Sequence, residues 1–102
     1  MKYELVLQLP ATSISDYHAM ISLEEAVINS LGALGKVDGH DAGSGEMNIF
    51  IVTDYPKLVF EHVKKIIGTK DLMSDLKVAY REIGKDAFTI LHPTWLSHFA
   101  IV

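Results

Sequence analysis

The stretch Gly35-Lys36-Val37-Asp38-Gly39-His40-Asp41-Ala42-Gly43-Ser44-Gly45-Glu46-Met47-Asn48-Ile49-Phe50-Ile51-Val52-Thr53-Asp54 decides how this chain folds. Ile49-Phe50-Ile51-Val52 is its most strand-like run, apolar on both faces as a central strand is. Gly43-Ser44-Gly45 reads as the turn of a β-hairpin joining a weak strand over 36–41 to a strong one over 46–53. A three-residue turn sets Ala42 opposite Glu46, and hence His40 opposite Asn48, Gly39 opposite Ile49 and Asp38 opposite Phe50. Strand side chains alternate, so this register sends Val37, Met47, Ile49 and Ile51 to one side and Asp38, His40, Asn48 and Phe50 to the other. The apolar set belongs under helices, the mixed set on a helix-free face.

Upstream, Tyr3, Leu5, Leu7 and Leu9 alternate with Lys2, Glu4, Val6 and Gln8, a strand that Pro10 stops. Ser13 stands three residues before Asp16 in a capping-box arrangement, and Tyr17, Met20, Ile21, Val27, Ile28 and Leu31 recur at helical spacing. Ser22-Leu23-Glu24-Glu25 is a second such box, so this helix is expected to be interrupted or to start late; Gly32 and Gly35 close it. Downstream, Thr53-Asp54-Tyr55-Pro56 opens a second helix with proline in its first turn. Val59, Phe60, Val63, Ile66 and Ile67 form its apolar stripe, and Gly68 ends it. Residues 69–75 read as a loop, 77–83 as a strand, Gly84-Lys85-Asp86 as a turn and 87–91 as a last strand.

The resulting order, βαββαβ with an added strand and an apolar tail, resembles the ferredoxin-like plait over about residues 2 to 83. The resemblance implies an α+β sandwich, an antiparallel sheet with two helices on one face, within one domain spanning residues 1–102. It rests on element order and implies no activity.

A chain of 102 residues has room for one core. Its net charge of −4 and pI near 5.6 weigh against nucleic acid, and the only basic pair is Lys64-Lys65. With no cysteine, disulfides, thiolate metal sites and cysteine nucleophiles are excluded together, which suits a reducing, cytoplasmic setting. The first ten residues are too short and polar for a signal peptide, and no apolar run reaches the ~18 residues of a membrane span. Apolar residues make up 49%, a surplus that predicts a homodimer or a partner interface.

Chemistry, if present, belongs with Asp38, His40, Asp41 and Glu46. Asp38 and His40, two apart on a strand, place their Cα atoms ~6.5–7 Å apart on one side. They suit a metal site, or an acid beside an oriented base. Against this, hairpins carry polar residues simply because turns need them, and no two histidines stand at a ligand spacing. The glycines are followed by a strand, not by the helix and lysine of a phosphate loop. Ser44, with glycine directly on both sides, lacks the G-x-S-x-G spacing of a nucleophile elbow. No complete catalytic set is present, and no cofactor or bound metal is expected.

The helix-free face is therefore expected to bind through Glu4, Gln8, Asp38, His40, Asp41, Glu46, Asn48 and Phe50. The tail, with Trp95 and Phe99 as interface anchors, must dock on its own domain or on another chain. The leading expectation is a small acidic cytoplasmic module binding a protein partner. An inhibitor- or immunity-type protein blocking a basic partner such as a nuclease toxin fits that profile. The competing expectation is a dimeric small-molecule- or metal-binding protein, enzyme or ligand sensor, using the face around His40.

Overall fold

The computed structural model describes residues 1–11, 14–69 and 73–101, and all their side chains but those of Ile14, Ser15 and Thr69. Ser13 of the first capping box, the middle of the 69–75 loop and the terminal Val102 lie outside the described residues. In chain order the elements are β1 (Tyr3–Pro10), α1 (Ile14–Leu31) with a 3-10 turn behind it, β2 (Gly35–Gly43), β3 (Glu46–Thr53), α2 (Pro56–Thr69), β4 (Lys77–Glu82) and β5 (Thr89–His92). The fold is α+β: one five-stranded sheet in the order β2-β3-β1-β4-β5, antiparallel at every pairing.

The main core follows from the alternation in β1. Leu5, Leu7 and Leu9 join Met47, Ile49 and Ile51 of β3 and Val78 of β4 on one face. Met20, Leu23, Val27 and Leu31 of α1 and Val59, Phe60, Val63 and Ile67 of α2 close over them. Each such side chain contributes roughly 1.5–3 kcal/mol by leaving water.

The expected break in α1 does not occur. Leu23 completes a stripe at positions 20, 23, 27 and 31, and burial of that unbroken stripe outweighs the second capping box, whose Ser22 and Glu25 lie on the exposed side. Tyr17 and Ile28, assigned to the stripe from spacing, fall outside it and are exposed.

The hairpin register differs from expectation by one residue. Its turn is Ser44-Gly45 alone, with φ of 53° and 79°, and Gly43 rather than Ala42 stands opposite Glu46. Two consecutive left-handed residues are what a type I′ turn requires, and that turn matches the twist of the flanking strands. His40 therefore pairs with Ile49 and Asp41 with Asn48. At Asp38 a bulge restores the original phase: Gly39 opposes Phe50, and Val37 opposes Ile51 as expected. Gly39 takes φ of 135° there, a conformation open essentially to glycine alone.

The sheet face away from the helices is not bare. Residues 93–101 cross it without regular secondary structure. Phe99 packs on Val6 and Ala79, flanked by Phe50, Phe88, Ile90, Leu96 and Ile101, in a second, smaller core. Among the described residues no helix is long and apolar enough to cross a membrane.

Candidate functional site

The even-numbered residues of β1 decide what this second face can do. Gln8 lies beside Asn48 across the β1–β3 pairing, and Asn48 beside Asp41 across β2–β3. Their side chains form a ladder over three strands. Gln8 Nε2 donates to Asn48 Oδ1 at 3.0 Å, and Asn48 Nδ2 donates to Asp41 Oδ1 at 2.9 Å. The second hydrogen of the Gln8 amide goes to the Ala100 carbonyl at 3.0 Å, tying the tail to the sheet. Gln8 and Asn48 are 2% and 1% exposed, so each amide needs these partners: an unsatisfied one would cost about 1–3 kcal/mol. The two residues are structural before they are ligand-binding.

Four residues back along β1, Glu4 stands opposite Arg81 of β4. Its Oε1 accepts from Arg81 Nε at 3.1 Å and Nη2 at 2.9 Å, while the guanidinium lies 5.0 Å over the Phe88 ring. This pair forms one side of an open groove of about 570 Å³ between sheet and tail. Phe50, Phe88 and Phe99 supply its apolar lining, and Asp38 and Asp86 join Glu4 and Arg81 as its charged groups. The bulge at Asp38 brings that carboxylate to the groove.

Three carboxylates against one guanidinium leave the groove two negative charges in surplus. Among the described residues no cation pairs with Asp38 or Asp86. Lys36 and Lys85, near them in sequence, are exposed and do not line the groove.

His40 is the main correction. The two-residue turn places it on the helix side, where Nδ1 lies 2.8 Å from Glu24 Oε2 of α1 and the ring meets Tyr17 edge-on at 6.2 Å. It ties the outer strand to α1 and is separated by the sheet from Asp38 and Asn48. Ile49 is nevertheless buried as expected, at 1% exposure, because β3 itself kept its predicted phase. Glu46 stays on the tail side of the sheet but away from the groove, lining a different depression with Gln8, Lys77 and His98. Among the described residues no group of three or more His, Asp or Glu side chains is placed to hold a metal.

The two proposed anchors of the tail part company. Phe99, at 8% exposure, is buried against its own sheet, whereas Trp95 projects into solvent at 80%. Sequence reasoning missed Arg81, Asp86 and Phe88. The alternation Lys77, Ala79, Arg81 in β4 carried a signal for Arg81; for Asp86 and Phe88, set by the path of the 83–88 connection, there was none. Comparison of this chain with protein-family models, with curated proteins and with solved structures finds no match.

Proposed function

We propose that this protein is a non-catalytic, protein-binding module of ferredoxin-like fold that recognises a basic partner, in the manner of an inhibitor or immunity protein in the cytoplasm. The strand order and uniform antiparallel pairing support the fold name. The observation that carries the function is the groove, lined by three phenylalanine rings and by Asp38 and Asp86, with which no cation pairs among the described residues. An apolar floor with surplus charge of one sign speeds and selects partners of the opposite sign, and aromatic floors are where binding energy concentrates. The overall charge of −4 acts in the same direction at longer range.

Homodimerisation belongs to the same proposal with a narrower basis. The apolar surplus that motivated it is largely absorbed by the second core, and Trp95 is the large exposed side chain left in the tail to carry it. Sedimentation of the wild type and of Trp95→Ala tests this, with a dimer lost in the variant as the expected result.

The test of the main reading is direct. The chain is immobilised and challenged with a panel of basic nucleases and basic peptides at low and high salt. Saturable binding that weakens with salt is expected. No binding anywhere in the panel at low salt refutes the reading.

A further inference from the structure

We propose that the groove receives an arginine side chain of the partner, its guanidinium lying on Phe50 and Phe99 with Asp38 and Asp86 as counter-ions. The inference rests on the basic-partner reading and specifies the group recognised.

The chain provides a template for this contact in its own Arg81. That guanidinium lies 5.0 Å over Phe88 and is held by Glu4 through two nitrogens, so the groove already stacks and neutralises one arginine. The rest of the lining offers the same ingredients without a cation: the rings of Phe50 and Phe99, and the carboxylates of Asp38 and Asp86, which pair with nothing among the described residues. Because Glu4 neutralises Arg81, the resident guanidinium does not repel a second one.

The floor also discriminates between basic side chains. A guanidinium is planar and weakly hydrated, so it can stack on a ring while its edge nitrogens reach carboxylates on either side. A lysine ammonium is a compact, strongly hydrated charge and loses more by lying on phenylalanine.

The experiment is an NMR titration of the ¹⁵N-labelled full chain with N-acetyl-arginine amide and, separately, N-acetyl-lysine amide, two probes of equal charge. Expected are saturable shifts from the arginine probe centred on Phe50, Phe88 and Phe99, with the lysine probe at least about threefold weaker. Asp38→Asn and Asp86→Asn should each weaken the arginine probe by about threefold, as removal of one partly exposed counter-ion does. Leu58→Ala, an exposed side chain of α2 across the sheet from the groove, should leave it unchanged. Asp86 lies in an exposed connection, so its variant tests the idea even where Asp38→Asn disturbs the bulge. Shifts centred elsewhere, equal response to the two probes, or indifference to both substitutions overturns the inference. Basic proteins that bind the doubly substituted chain undiminished overturn it too, while leaving the broader function standing. Groove binding of the arginine probe with no basic protein bound at any salt supports the inference and sinks the protein-partner reading instead.

Discussion

Phe99→Ala tests whether the tail belongs to its own sheet. The Phe99 ring removes roughly 150 Å² from water, which at ~25 cal/mol/Å² corresponds to at most about 4 kcal/mol. Its tilted contact with Phe88, 5.0 Å between centroids, adds ~0.5–1.5 kcal/mol. Against this, the site lies at the edge of the fold and the tail can settle into the gap, so a net loss of ~3 kcal/mol is expected. Trp95, four residues earlier and 80% exposed, should change stability by less than ~0.5 kcal/mol when replaced by alanine. Urea unfolding followed by far-ultraviolet circular dichroism serves both variants, because Trp95 is the only tryptophan and its fluorescence vanishes in one of them. A loss at Trp95 larger than that at Phe99, or a Phe99 loss within ~0.5 kcal/mol, would mean that the tail does not dock on this sheet. The groove would then lose one wall.

Three further outcomes follow from the same geometry. Gly39→Ala forces a Cβ into a backbone with φ of 135° and should cost ~1–3 kcal/mol by urea denaturation, although no atom lies within 4 Å of the added group. Asn48→Ala strips the Asp41 carboxylate and the Gln8 amide of a partner and should cost ~1–3 kcal/mol; Asn48→Asp, which replaces the donor by a second carboxylate facing Asp41, should cost at least as much in the same assay. His40→Ala should leave arginine-probe binding by NMR unchanged and lower stability by no more than ~1 kcal/mol, since its contact with Glu24 is partly solvated and on the opposite side of the sheet.

How far the fold was legible depends on the element. The alternation in β1 and β3 and the 3.6-residue stripe in α2 matched the structure, because burial of one face selects the phase of each. The bend from β2 into β3 did not, because Gly43-Ser44-Gly45 accommodates a two-residue or a three-residue turn equally well by composition. That one-residue difference moved His40 to the helices and Asp41 to the ladder, while the bulge kept Asp38 on the groove side. A period of two makes every residue between turn and bulge sensitive to such a slip.

The sequence by itself determined an acidic, cysteine-free α+β chain, its order of strands and helices, and the apolar set beneath the helices. These are local patterns and totals, readable without knowing what touches what. Only the tertiary structure decided that the tail covers the second sheet face, that Gln8 and Asn48 are consumed by each other and by the Ala100 carbonyl, and that Glu4, Asp38 and Asp86 meet at one groove. Those residues are separated by tens of positions, and what brings them together is cross-strand pairing and the burial of Phe99. Neither leaves a mark in any short window of the chain.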